Sequence, residues 1–246
     1  AKIEPDFSSQ EVSRLVRKNQ ELVLGKFVYD NERLKMAAFK RLLASLEDLA
    51  TNPSIMRFAL TDGGSVRGLL ALQRSNWDSE HFGMEIGKSR FILFNRDVPL
   101  ELRRLLVQEA FGLARDYGFR EIFIRTNLSD MWTLQAIEAE GGFVADILLT
   151  FQASVGSALS RRGSIRGVDV AKAGENDGEL LSKIAFDVFR IDHFHWDPLL
   201  PEYKCHELYA KWTRNCLCGL SDVVLAARTK SQMLGYVTCK IERLEP

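Results

Sequence analysis

From Phe58 the chain reads FALTDGGSVRGLLAL, and 167 positions later, from Leu225, it reads LAARTKSQMLGYVTC. At that shift Phe58 meets Leu225, Ala59 meets Ala226, Gly68 meets Gly235 and Leu70 meets Val237. Each copy reads as a strand, a polar turn, and a second strand opened by a glycine. A repeat on this scale narrows the choice of fold more than composition does, because each copy is one supersecondary unit seeking cover for its apolar faces. The expectation is therefore two related α/β units in tandem, each with a mixed central sheet.

The elements around the copies fit that plan. Glu11 to Val23 and Arg33 to Leu49 carry apolar residues three and four apart, which predicts two amphipathic helices. Met56 to Leu60 and Val66 to Gln73 predict a hairpin, joined by the turn residues Thr61-Asp62-Gly63-Gly64-Ser65. Phe91 to Phe94 reads as a strand end. A helix opens at Pro99, runs through Leu102, Leu106 and Ala110, and closes at Gly118. Glu121 to Arg125 reads as a strand. Asp130 caps a helix that ends at Gly141-Gly142, and Phe143 to Ala153 reads as a further strand. Strands alternating with helices predict a partly parallel sheet covered on both faces.

Val155 to Gly167, rich in Gly, Ser and Arg, reads as a linker. The predicted division is 1–154 for the first unit, 155–167 for the linker and 168–246 for the second unit. Val168 to Ala171 predicts its first strand, Asp177 or Glu179 opens a helix through Leu181 and Val188, and Glu202 to Leu217 predicts another. On this reading the second unit stops after its hairpin, leaving a sheet edge open. Either the sequence is a fragment or another chain completes it, so a homo-oligomer is one expectation.

Lys plus Arg and Asp plus Glu are both 33. That balance argues against nucleic acid or an anionic membrane as the main partner. No apolar run approaches the roughly 20 residues of a membrane span. Cys205, Cys216, Cys218 and Cys239 show neither a disulfide framework nor a paired zinc-ligand spacing, so reduced thiols in a cytoplasmic protein are expected and no metal is predicted.

Several segments resemble a known family. Met56 to Ala153 follows the element order of a GNAT N-acetyltransferase. Trp77-Asp78-Ser79-Glu80-His81-Phe82-Gly83 resembles the W-[DE]-S-x-[FH]-F-G element of the dTDP-fucosamine acetyltransferase group. Arg190-Ile191-Asp192-His193-Phe194-His195 resembles its R-F-x segment, and Leu208-Tyr209-Ala210-Lys211-Trp212-Thr213-Arg214-Asn215 its L-Y-x-x-W-x-x-N helix. The resemblance implies a degenerate first unit, a functional second unit, acetyl-CoA as co-substrate, and the amine of a nucleotide-linked sugar as acceptor.

The family holds the CoA pyrophosphate on a [QR]-x-x-G-x-[GA] loop opening a helix, where backbone N–H groups favour phosphate. The first unit carries Asn95-Arg96-Asp97-Val98 at that place, with an acid and no glycine, so it is not expected to bind CoA. In the second unit the loop, and the family's general-acid tyrosine, would lie beyond Pro246. Catalytic and CoA-binding residues are accordingly not assigned.

Substrate-facing candidates are Trp77, Asp78, His81 and Phe82 in the first unit and Arg190, His193 and His195 in the second. An acid or imidazole beside aromatics suits an amine or hydroxyl, and Arg190 suits a phosphate. The competing readings are a core-packed strand end for Trp77 to Phe82 and an ordinary surface loop for Arg190 to Trp196. His193 and His195 alternate, so in an extended segment they share a face; with His206 or Cys205 they would make a metal set, but no third ligand is spaced convincingly. The functions in play are acetyl transfer to an aminosugar, acetyl transfer to an amino acid or polyamine, a non-catalytic GNAT-like binding module, and, more remotely, a metal hydrolase.

Overall fold

The structure is a computed structural model that describes residues 1–5, 7–20, 32–151 and 165–241. Two compact units divide between Val144 and Ala145. The predicted linker lies outside the described residues up to position 164.

The first unit runs β1 (Lys2–Glu4), α1 (Ser9–Lys18), α2 (Glu32–Thr51), β2 (Ile55–Asp62), β3 (Ser65–Arg74), α3 (Asn76–Phe82), β4 (Ile86–Phe94), α4 (Leu100–Asp116), β5 (Glu121–Phe123) and α5 (Met131–Ala139). Its five strands lie in chain order; the first four pair antiparallel, and β5 joins β4 in parallel through the α4 crossover. The β2–β3 turn is Gly63-Gly64 with φ of 55° and 74°, the left-handed pair that a two-residue hairpin needs and only glycine adopts cheaply.

Both faces of this sheet are buried, which is why β2 and β3 read as nearly continuous apolar runs. Ala59, Leu69, Ala71 and Leu93 face Val12, Val16, Phe39 and Leu46 of α1 and α2. Their neighbours Phe58, Leu60, Leu70, Leu72 and Phe94 face Leu106, Ala110 and Ala114 of α4. Opposite Ala71 and Leu72 the β4 partner jumps from Phe91 to Ser89, so Arg90 is the extra residue of a β-bulge.

The second unit runs β6 (Asp169–Lys172), α6 (Gly178–Val188), α7 (Glu202–Asn215), β7 (Val223–Arg228) and β8 (Met233–Cys239), in a separate sheet of order β6-β7-β8. Its pairings reproduce those of the first unit at the same shift of 167 positions. Ile3↔Leu60 and Glu4↔Ala59 become Val170↔Ala227 and Ala171↔Ala226. Phe58↔Leu70 and Leu60↔Gly68 become Leu225↔Val237 and Ala227↔Gly235. The bulge between Leu60 and Thr61 recurs between Ala227 and Arg228. Val224 and Ala226 pack with Leu181, Cys216 and Trp212 on the helical face. Leu234 and Val237 of β8 are exposed.

Four sequence expectations are corrected. Trp77 to Phe82 forms the short helix α3, closed by Gly83 at φ 73°, not a strand end. The strand at Phe91 to Phe94 begins at Ile86, and the one from Glu121 stops at Phe123. Among the described residues no strand offers Phe143 to Phe151 backbone partners, so it has no strand pairing there, and its apolar side chains are exposed. Gln152 and Ala153 lie outside the described residues.

The two register-matched glycines differ in surroundings. A Cβ on Gly68 would lie 2.4 Å from the Phe94 ring, whereas one on Gly235 would meet nothing within 4 Å. Gly68→Ala is expected to cost about 1–3 kcal/mol by overpacking. Gly235→Ala is expected to be within about 0.5 kcal/mol of neutral. Denaturant unfolding of the two variants checks this; equal effects would contradict the packing.

Candidate functional site

In the first unit the polar chemistry gathers at the turn between β4 and α4. Arg103 lies on the stripe that α4 buries, with Leu106, Val107 and Ala110, so its guanidinium must find partners inside. Nε donates to Val98 O at 3.0 Å and Nη2 to Asn95 O at 3.0 Å. Nη1 donates to Asp130 Oδ1 and Thr133 Oγ1, each at 2.7 Å. The group also stacks over the Phe94 and Trp132 rings at 4.9 and 5.8 Å. Burial draws its pKa down while Asp130 opposes the shift. Asn95 Oδ1 accepts from Asn19 Nδ2 at 2.8 Å. Asp97 pairs with Arg67 at 2.9 Å, which holds its carboxyl below the usual range. The turn thus aims carbonyls inward at a cation and presents a carboxylate outward. That arrangement does not fit a pyrophosphate, which needs converging N–H groups.

The candidates on α3 separate. Asp78 is buried, accepts from Ser75 Oγ and pairs with Lys88. Phe82 is in the interior, and His81 sets its ring edge-on to Phe82 at 5.0 Å. Trp77 is exposed.

In the second unit the loop between α6 and α7 holds the other three. Asp192 organises it: Oδ1 accepts from the Phe194 N–H at 2.8 Å and the His195 N–H at 3.2 Å, and Oδ2 meets His195 Nδ1 at 2.8 Å. His195 is therefore turned inward, with its ring 4.9 Å from that of His206. His193 lies against Phe194 at 4.0 Å, with Nδ1 3.9 Å from Asp146 Oδ2. Arg190 is exposed, and its Nε donates to Asp187 O at 2.9 Å. Among the described residues no group of three or more His, Cys, Asp or Glu side chains is placed to hold a metal ion.

Burial, Asp192 and Asp197 push the Cys205 thiol up to about 11, so at neutral pH it is a protonated core residue donating to Phe194 O at 3.4 Å. Burial, followed by the charge of Asp192 and a hydrogen bond to it, raises the Tyr209 phenol far above its ordinary value.

Sequence reasoning passed over Arg103, Asp192 and Tyr209 as organisers. Arg103 carries a readable signal, a charge at positions three and four before Leu106 and Val107 on an apolar stripe. Asp192 and Tyr209 meet only through the tertiary fold.

No family model matches the chain. A curated relative, the spore coat polysaccharide biosynthesis protein SpsD of Bacillus subtilis, is 23% identical over 209 residues, 84% of this chain and 70% of that protein. Among solved structures, an aminoglycoside acetyltransferase from an uncultured soil metagenomic sample, in complex with trehalose, is 14% identical with a TM-score of 0.42. It covers 63% of this chain and 95% of its own. A ribosomal-protein-alanine N-acetyltransferase from Brucella melitensis is 9% identical with a TM-score of 0.43, over 62% of this chain and 97% of its own. The Acinetobacter baumannii aminoglycoside 6'-N-acetyltransferase is 16% identical with a TM-score of 0.41, over 63% and 99%.

Two outcomes follow from this geometry. Arg103→Leu removes the cation from the part-buried Asp130 carboxylate and leaves two backbone carbonyls without their donor, and is expected to cost about 3–5 kcal/mol of stability by denaturant titration. Cys205 has a folded-state value above the ordinary 9.0. The unfolded chain therefore loses this proton first, and stability falls as pH climbs from about 9 through about 11. Two pH units correspond to on the order of 2–3 kcal/mol, and Cys205→Ala is expected to flatten that part of the alkaline decline.

Proposed function

We propose that the chain carries two GNAT-like units arisen by duplication and serves transfer of an acetyl group from acetyl-CoA to a primary amine, that of a nucleotide-linked aminosugar. The observation that carries this reading is the matched set of registers and bulges in β1-β2-β3 and β6-β7-β8. Two unrelated hairpins have no physical reason to share pairing, bulge position and first-strand alignment at one constant shift. Within the first unit, the parallel β4–β5 step through α4 agrees with the element order of the sequence resemblance. SpsD, by its name a protein of polysaccharide biosynthesis, favours a carbohydrate acceptor over an amino acid or polyamine.

The division of labour follows from the turn chemistry. The first unit, its β4–α4 turn filled by Arg103, supports the fold and does not bind CoA. The acceptor belongs to the α6–α7 loop of the second unit, where Arg190 and His193 are the substrate-facing candidates. Trp77 is the exposed candidate of the first unit. Chemistry of this type needs no covalent enzyme intermediate: the free amine attacks the thioester carbonyl, the tetrahedral intermediate expels the CoA thiolate, the proton released by the amine ends on that thiolate, and the enzyme supplies orientation and a donor for the developing oxyanion.

A second reading, a non-catalytic GNAT-like binding module, is favoured by one observation, that the described β4–α4 turn is built against phosphate. Incubation of the intact gene product with acetyl-CoA and dTDP-linked aminosugars, followed by mass spectrometry of the sugar, separates the two. Acetylated product is expected. Sugar left unmodified, with no heat of acetyl-CoA binding by calorimetry, supports the binding module and sinks the transferase.

A further inference from the structure

The loop between α6 and α7 is built with its polarity reversed. Asp192 and Asp197 are only 8% and 5% exposed, while Ile191, Trp196 and Leu199 are 84%, 63% and 52% exposed. Buried polar groups and exposed large apolar ones are the informative departures from ordinary burial, and here they occur within one short segment.

The inward acids account for the loop's conformation. Asp192 accepts two consecutive backbone N–H groups and meets His195 Nδ1. Its main-chain carbonyl accepts from the N–H groups of His195 and Trp196 at 3.1 and 3.2 Å. Asp197 Oδ1 accepts from the Leu199 N–H at 2.9 Å, and Asp197 O from the Leu200 N–H at 3.2 Å. Phe194 and Leu200 anchor the segment from below as buried residues. Trp196 thus stands on a backbone pinned on both sides, with its ring left in water. Ordering cost is already met in the free protein, so a ligand laid on that ring loses little affinity to it.

The flanks narrow the choice of ligand. Arg190 is exposed and charged, and Glu202 opens α7 with its carboxylate 78% exposed. A dry protein interface places apolar side chains at its centre and excludes charge there. A flat exposed indole, on a segment bounded in sequence by Arg190 and Glu202, suits a small amphipathic ring, with C–H bonds on one face and hydroxyl or ammonium groups at its edge. C–H groups over the negative face of an aromatic ring are held by dispersion and by the ring quadrupole, while the polar edge keeps its partners.

We propose that Trp196 is the stacking platform for the sugar ring of the acceptor, with Asp192 and Asp197 as the positioning residues that hold it. This rests on the reading of the second unit as the acceptor side of an aminosugar transferase, and it names the side chain that selects a pyranose.

The test is saturation-transfer NMR on the full chain without acetyl-CoA, using D-glucosamine as one probe and deoxythymidine monophosphate as the other. Saturation of the glucosamine ring protons is expected, weakened about tenfold in Trp196→Ala, as loss of one aromatic stack predicts, and restored in Trp196→Phe. Trp196 is exposed, so the alanine variant is expected to keep its unfolding midpoint. Glucosamine saturation that is absent, or equal in Trp196→Ala, overturns the proposal, as does saturation confined to the nucleotide. Because no acetyl donor is present, the outcome is independent of catalysis. Sugar binding through Trp196 without acetyl transfer removes the transferase and keeps the platform, and acetyl transfer undiminished in Trp196→Ala does the reverse.

Discussion

Strand register is the constraint on which the rest of this architecture depends. Successive side chains on a strand point to opposite faces, so a slip of one residue between β2 and β3 would exchange two complete sets of apolar contacts. With β2 held in place, Leu70 and Leu72 of β3 would turn from α4 toward α1 and α2, and Leu69 and Ala71 the other way. Leu72 would then crowd the helix pair where Ala71 fits, and Ala71 would leave a void against α4. The Gly63-Gly64 turn and the bulge after Leu60 hold that register at one end. Gly68 beneath the Phe94 ring holds it in the middle.

The same constraint governs the second unit with fewer supports. Its register and bulge match, yet β8 has exposed apolar residues where β3 is buried on both faces. The helical side of β7 is well filled by Leu181, Cys216 and Trp212. Its opposite side has no counterpart of α4 among the described residues.

Function and stability diverge at two polar clusters. The Arg103 guanidinium satisfies the ends of β4, α4 and α5 at once, which makes the β4–α4 turn an internal cation site. Asp192 does the reverse in the second unit: a buried carboxylate organises a loop, and the apolar residues displaced from the interior meet water. A group that must be buried with its charge needs several partners, and in both places those partners include backbone atoms of the surrounding loop, so the loop is ordered by the charge it encloses.

The sequence alone determined the elements and their sense. Period-two and period-3.6 patterns located the hairpins and most helices, Asp-Gly-Gly located the turn, and the spacing of Gly68 and Gly235 revealed the recurrence. It determined, too, that Asn95 to Val98 is poor phosphate-binding chemistry. Tertiary structure alone decided which candidates face solvent. Trp77 and Asp78 are neighbours in sequence, but α3 turns one outward and the other onto Lys88. His193 and His195 were expected on one face, yet Asp192 draws the second inward. Phe143 to Phe151 has the composition of a strand and does not form one, because a strand exists only where another offers it hydrogen bonds. Local patterns encode helices and turns, whose partners are near in sequence, whereas burial, pairing and the aim of a side chain are set by residues far away in the chain.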